Sequence, residues 1–153
     1  MNEVNRERYL VKSAGDNIEG TRTGLVKFLE LLAQYDDAVI VVPSISQYKG
    51  NLFDTLLQEY APALAKALFR DRTVVLDGNK RVHLCSSETL KNFSRSELYL
   101  VLWGSRYTIA DVEALHGWGG VVLVSWQSGD YAAWVRDHSV QVVYDDGVPD
   151  IKI

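Results

Sequence analysis

Three short and almost entirely apolar runs occupy the C-terminal part of the sequence, at residues 98–103, 121–124 and 140–144. The two segments between these runs place apolar side chains at helical spacing. Strands that are apolar at nearly every position are typical of sheets covered on both faces, and strands that alternate with helices form parallel crossovers. The pattern therefore predicts a βαβαβ unit in an open α/β sheet.

The N-terminal part of the sequence predicts a further unit of the same kind. Residues 9–11 and 38–42 are apolar runs, and Pro43 closes the second. Between the two runs, apolar side chains recur with the period of one helix face, at Leu25, Phe28, Leu29, Leu32 and Ala33. We therefore expect a first βαβ unit here.

The middle of the sequence contains a proline inside a helical pattern. Apolar positions stay in helical phase from Phe53 to Leu68, across Pro62. A proline inside a helix costs about 3 kcal/mol, whereas proline fits the first residue of a helix. We therefore expect either one helix kinked near Gln58 or two helices, the second of which begins at Pro62.

A hairpin is predicted further along the chain, where Asp77-Gly78 separates the apolar residues 73–76 and 81–85. Glycine readily adopts the positive φ that tight hairpin turns need, so we expect an antiparallel hairpin from Thr73 to Cys85. The complete pattern predicts a three-layer α/β/α fold with a Rossmann-like open sheet, mostly parallel with this hairpin inserted. We expect residues 1–153 to form a single domain, with residues 145–153 as a peripheral tail.

Composition and charge narrow the class of protein. The 153 residues are 47% hydrophobic and 24% charged, which is typical of a soluble globular chain with one sizeable core. A formal charge of -4 and a pI near 5.3 do not indicate nucleic-acid binding, because that needs clustered Lys and Arg. Cys85 is the only cysteine, which excludes an intramolecular disulfide. No apolar run is long enough to span a membrane and the N-terminus is too charged for a secretion signal, so we expect a cytoplasmic protein.

The strongest candidate for chemistry is the stretch from Gly15 to Thr23, between the first strand and the first helix. Gly15 and Gly20 have the spacing of the phosphate-binding P-loop, in which backbone N–H groups hold phosphate. However, Thr21 stands where that motif has lysine, and Arg22 stands where it has the Ser or Thr that holds magnesium. Three interpretations remain: a working nucleoside triphosphatase, a degenerate relative or unrelated anion site, and a glycine-containing loop capped by Thr21 or Thr23, which we favour.

A positional rule adds further candidates, because ligands of open α/β sheets bind outside the carboxyl ends of the strands. The loops expected there carry two arginines, one lysine and several hydroxyls, which suit an anionic ligand. The candidate ligand-binding residues are Gly15, Asp16, Gly20, Thr21, Arg22, Thr23, Ser44, Tyr48, Lys49, Ser105, Arg106, Ser128 and Asp130. The alternative is that the Ser and Asp side chains among them only cap helices.

Two of the four tryptophans, Trp103 and Trp126, each end a predicted strand, and Trp134 falls on the apolar side of a helix. Core packing is the interpretation that we favour for the tryptophans. The alternative is an aromatic wall around a pocket or a partner surface, because Trp combines a large apolar area with one hydrogen-bond donor.

The sequence contains no complete catalytic or metal motif. No two of the three histidines have the i, i+4 spacing of a metal clamp, and one cysteine cannot supply a thiolate zinc site. We therefore expect no metal and no cofactor, and the sequence leaves open whether a reaction is catalysed. We expect a noncatalytic binding or assembly module that acts through a protein partner or self-association. The alternative is a nucleotide- or phosphate-binding protein, or a small enzyme, with its site at the carboxyl edge of the sheet.

Overall fold

The computed structural model describes residues 6–47 and 50–147, and this part of the chain forms a seven-stranded sheet. The strands are β1 (Glu7–Lys12), β2 (Asp37–Val42), β3 (Thr73–Leu76), β4 (Lys80–Ser86), β5 (Leu98–Leu102), β6 (Gly120–Val124) and β7 (Gln141–Asp145). Their spatial order is β3-β4-β2-β5-β6-β1-β7, and the pairs are parallel except that β3 runs antiparallel to β4.

Five α-helices within the described residues cover the sheet on both faces. They are α1 (Ile18–Leu32), α2 (Leu52–Tyr60), α3 (Pro62–Asp71), α4 (Arg106–Glu113) and α5 (Ala132–Asp137). Ile40 of β2 packs in one apolar cluster with side chains of α1, α2 and α3, whereas its neighbour Val39 packs in a second cluster with side chains of α4 and α5. Adjacent strand residues point to opposite faces, so both faces of β2 are buried. The predicted three-layer α/β architecture is confirmed.

Pro62, in the middle of the chain, begins a second helix. Of the two alternatives, two helices are therefore correct and one kinked helix is wrong. α2 ends at Tyr60, and α3 begins at Pro62 after the non-helical Ala61. The predicted hairpin is also confirmed, with β3 paired to β4 across a turn in which Gly78 has φ +79.

The first helix begins earlier than its apolar pattern predicts. We expected the stretch from Gly15 to Thr23 to precede the first helix, but α1 begins at Ile18. The pattern is obscured by Gly20 and Gly24, which are poor helix formers but lie buried within the helix. A Cβ on Gly24 would lie 2.5 Å from Cγ2 of Val124, so glycine lets α1 approach β6 closely.

The boundary of the predicted peripheral tail also differs. Asp145 belongs to β7, and the backbone N–H of Asp146 donates to the carbonyl of Lys12 at 3.0 Å. These residues are therefore attached to the sheet, and residues 148–153 of the predicted tail lie outside the described residues.

The connections between strands determine where the sheet opens. Because the six strands other than β3 are parallel, their carboxyl ends lie at one edge. The chain leaves β1 and β2 towards α1 and α2 on one face, and it leaves β5 and β6 towards α4 and α5 on the other. Such divergence leaves a crevice at the carboxyl edge between the adjacent strands.

Candidate functional site

A cavity of about 500 Å³ lies at this edge, where β1, β2, β5 and β6 end. Its volume falls within the range of small-molecule sites, roughly 300–1,000 Å³. We call it the tryptophan cleft. Its lining residues are Asp16, Val42, Pro43, Ser44, Gln47, Gly50, Asn51, Leu52, Trp103 and Trp126.

Two tryptophans form one side of the cleft. The indole rings of Trp103 and Trp126 are 6.2 Å apart between centroids, with their planes at 84°. Trp126 is 45% exposed, whereas Trp103 is half-buried. The aromatic wall that the sequence left as an alternative therefore exists for this pair, while Trp118 and Trp134 are buried in the core.

The backbone of Trp103 is held in a conformation that bulky residues rarely adopt. Its φ is +53, in the left-handed region, and its N–H donates to the carbonyl of Val124 at 2.7 Å. A non-glycine residue in this region costs on the order of 1–3 kcal/mol, and such residues cluster at functional sites. In this conformation, Trp103 lines the cleft.

The indole N–H of Trp103 is buried and has no hydrogen-bond partner among the described residues. An unpaired buried donor costs about 1–3 kcal/mol. Thr21 Oγ1 and Trp118 Nε1 are also unpaired within the described part of the chain, but neither residue lines the cleft.

Hydrogen bonds join the loops that follow β1 and β6. Ser125 Oγ accepts the N–H of Ser13 at 3.1 Å and lies 2.9 Å from the Ser13 carbonyl, to which it donates. The N–H of Gly15 donates to the carbonyl of Trp126 at 2.9 Å. Gly15 has φ +63, which glycine adopts without strain. This turn places Asp16 at the same cleft as Trp126.

Asp130 holds the backbone of the segment that carries Trp126. Its carboxylate is buried, and Oδ2 accepts the backbone N–H groups of Trp126 at 2.9 Å and Gln127 at 3.0 Å. Asp130 and Ser128 belong to a short 3₁₀ helix, Ser128–Asp130. The capping role expected for Asp130 is therefore correct, and the side chain orients Trp126 without lining the cleft.

The opposite side of the cleft includes residues of the loop that precedes α2. Asn51 caps this helix, because its Oδ1 accepts the N–H of Asp54 at 2.8 Å. The buried carboxylate of Asp54 in turn accepts the N–H of Gly50 at 2.8 Å. The predicted site residues Tyr48 and Lys49 belong to this loop but lie outside the described residues.

In the P-loop-like stretch, Asn17 accepts hydrogen bonds from backbone N–H groups at the start of α1. Asn17 Oδ1 accepts the N–H of Gly20 at 2.8 Å, and the Asn17 carbonyl accepts that of Thr21 at 2.9 Å. The cap is therefore Asn17, and our prediction of Thr21 or Thr23 as the cap was wrong. Thr21 is buried, and Thr23 Oγ1 donates to the Glu19 carbonyl at 2.8 Å. The N–H groups of Gly20 and Thr21 are therefore used within α1.

The two predicted arginines are engaged away from the cleft. Arg22 forms an ion pair with Glu19 and lies 3.9 Å from Glu59 Oε2. Arg106 donates to the Tyr107 hydroxyl at 2.8 Å and lies over that ring, 4.9 Å from its centroid. Neither arginine lines the cleft, so Asp16 is the only ionisable side chain among the described lining residues.

A second cavity of about 170 Å³ adjoins the cleft between the ends of β2 and β5. The two cavities share Val42, Pro43 and Trp103, and the second also contains Ser105. Ser105 caps α4, because its Oγ accepts the N–H of Tyr107 at 3.2 Å. The capping interpretation is therefore correct for Ser105, which faces a different cavity from Asp16.

The cleft lies at the edge of the sheet where the sequence predicted a site, but few of the predicted residues line it. Of the predicted residues within the described ranges, Asp16 and Ser44 line it. The predicted set omitted Trp103, Trp126, Gln47 and Asn51. For the two tryptophans a usable signal existed, because each follows a strand.

The described residues offer stacking surfaces and hydrogen-bonding groups at the cleft. In residues 6–47 and 50–147, no cluster of three or more His, Cys, Asp or Glu side chains is arranged to hold a metal ion. Cys85 is buried in β4, and burial raises the pKa of its thiol to about 12, which keeps it protonated near neutral pH. None of the helices in the same ranges is sufficiently long and apolar to cross a bilayer.

No protein-family model matches the sequence, and no curated protein matches it. The fold and the cleft therefore define the class of this protein by themselves. It is a three-layer α/β protein with an aromatic cavity at the carboxyl edge of a mostly parallel sheet.

Proposed function

We propose that this chain binds a small organic molecule in the tryptophan cleft, using the carboxyl edge of its sheet as Rossmann-like proteins do. The observation that carries the proposal is the conformation of Trp103, whose strained backbone holds its side chain at the wall of an open cavity. Strain of this kind persists only where surrounding contacts enforce it.

The lining residues suit a ligand of about the size of a nucleoside. The ring of Trp126 offers an exposed aromatic surface, against which a planar or alkyl group packs favourably. Ser44 and Gln47 offer both hydrogen-bond donors and acceptors to such a ligand. A few polar groups around an apolar wall are typical of small-molecule sites.

A phosphate-bearing ligand receives less support than the sequence suggested. Arg22 and Arg106 are engaged with other side chains and do not line the cleft. We therefore propose a ligand that does not depend on them. Lys49 lies outside the described residues, so a Lys49→Ala variant belongs in the test.

The test is a thermal-shift screen of the wild-type chain with nucleosides, nucleotides, aromatic acids and organic cations. A ligand present at about 100 times its dissociation constant stabilises by about 2.7 kcal/mol, which raises Tm by several degrees in a chain of this size. Trp126→Leu should remove the shift. Tyr107→Leu is the control, because Tyr107 is an exposed aromatic residue that lies outside the cleft. Absence of any shift, or a shift retained in Trp126→Leu, would contradict the proposal.

One specific observation also favours the assembly-module hypothesis. The edge strands β3 and β7 expose Val75 to 62% and Val142 to 44%. Edge strands with exposed apolar side chains are templates for pairing with another chain. If the chain self-associates through them, sedimentation velocity should show a dimer that Val75→Lys or Val142→Lys dissociates. A monomer at all concentrations would exclude self-association.

A further inference from the structure

We infer that the tryptophan cleft selects an organic cation, such as an alkylated ammonium group, an inference that rests on the proposed function. The shape of the aromatic wall and the charge of the lining support it independently.

The aromatic wall has the geometry of a cation site. The planes of Trp103 and Trp126 meet at 84°, with 6.2 Å between their centroids, so they form a corner rather than a flat stack. A cation within about 6 Å of an indole face is attracted by the ring quadrupole, and Trp is the strongest of the aromatic residues in this respect. A compact alkylammonium group can contact both walls of such a corner.

The charge of the lining favours a positive ligand. Asp16 is exposed, lines the cleft and makes no ion pair with another described residue. A second carboxylate, that of Asp54, accepts a hydrogen bond from the backbone N–H of the lining residue Gly50. The arginines near this edge are paired elsewhere, as Arg22 is with Glu19. Within the described ranges, the ionisable groups at the cleft thus carry negative charge.

The experiment compares two probes of nearly equal shape. Acetylcholine carries a quaternary nitrogen, and 3,3-dimethylbutyl acetate has carbon in the same position and no charge. Titration calorimetry of the wild-type chain should show about tenfold or greater preference for acetylcholine, the combined effect expected of the aromatic corner and one carboxylate. Asp16→Asn should weaken acetylcholine binding several-fold and leave the neutral ester unchanged. Asp145→Asn is the control, because Asp145 lies at the same edge but does not line the cleft.

The outcomes separate this inference from the proposed function. Equal affinity for the two esters in the wild-type chain, or a preference that Asp16→Asn leaves undiminished, would overturn the selection of cations while leaving the cleft as a ligand site. Failure of both esters to bind, when the thermal screen finds a neutral or anionic ligand, would overturn the inference alone. Failure of every compound in both experiments would overturn the proposed function as well.

Discussion

The carboxylate of Asp130 fixes the backbone of Trp126, because its Oδ2 accepts the Trp126 N–H at 2.9 Å. The same oxygen accepts the N–H of Gln127, and the Asp130 side chain is buried. The exposed indole that forms one wall of the cleft is therefore positioned by a residue that the ligand would not touch.

Asp130→Ala should destabilise the chain and weaken ligand binding together. Two N–H groups would lose their acceptor, and a hydrogen bond to a charged group contributes about 1.5–3 kcal/mol. Urea unfolding measures the first effect, and affinity for a ligand found by the thermal screen measures the second. Asp137→Ala is the matched control, because Asp137 is exposed and pairs only with the neighbouring Arg136 among the described residues. Unchanged affinity in Asp130→Ala would show that Trp126 does not need this support.

Gly24→Ala should destabilise the fold although alanine is the better helix former. The added Cβ would lie 2.5 Å from Val124 Cγ2, and overpacking of a core typically costs about 1–3 kcal/mol. Helix propensity offsets at most about 1 kcal/mol of this cost. Gly129→Ala is the control, because a Cβ there meets nothing within 4 Å. Equal unfolding free energies for the two variants would refute the close approach of α1 to β6.

Arg22→Ala should leave ligand affinity unchanged. Arg22 is paired with Glu19 on the surface of α1, and exposed ion pairs contribute about 0–1 kcal/mol to stability. Asn17→Ala should instead cost roughly 0.5–2 kcal/mol, because it removes the cap of α1. Loss of binding in Arg22→Ala would restore the anion site that the glycine spacing suggested. Affinity is measured by calorimetry, and stability by urea unfolding.

Glu113 should contribute to stability in a pH-dependent way. Burial acts to raise the pKa of its carboxyl, but hydrogen bonds from Arg8 and from Trp134 Nε1 hold that pKa below its usual value. A carboxyl with a lowered folded-state pKa stabilises above its unfolded-state pKa, near 4.5, and loses the contribution as pH falls through the folded-state pKa. Glu113→Gln should therefore be less stable than wild type at pH 7, and the difference should shrink below pH 4.5.

Urea unfolding at several pH values between 7 and 3 provides the measurement. Asp111→Asn supplies the control on the same helix, because Asp111 is exposed. A stability difference that is constant across this range would mean that Glu113 acts through packing alone.

Much of the fold could be predicted from local patterns. The apolar run of β2 implied burial on both faces, Gly78 implied the hairpin turn, and Pro62 implied a helix start. Each of these signals lies in a few adjacent residues. The start of α1 could not be predicted, because the reason for Gly24 is its contact with β6, a strand distant in sequence.

The candidate site was less predictable because it depends on strand order. Trp103 and Trp126 meet because β5 and β6 are adjacent and end at the same level, with Leu102 opposite Val124. Arg22 appeared available in the sequence, but its proximity to Glu59 arises from the packing of α1 against α2. The carboxyl-edge rule depends only on parallel topology, so it could locate the edge but not the residues.

The central claim is that a ligand binds in the tryptophan cleft against Trp103 and Trp126, and nitrogen-15 labelling of the four tryptophans tests it most directly. Each indole N–H gives its own resonance, which Trp→Phe variants assign. A ligand found by the thermal screen should shift the signals of Trp103 and Trp126 and leave those of the buried Trp118 and Trp134 nearly unchanged. A stabilising ligand that leaves the Trp103 signal in place, or that moves all four signals equally, would contradict the account.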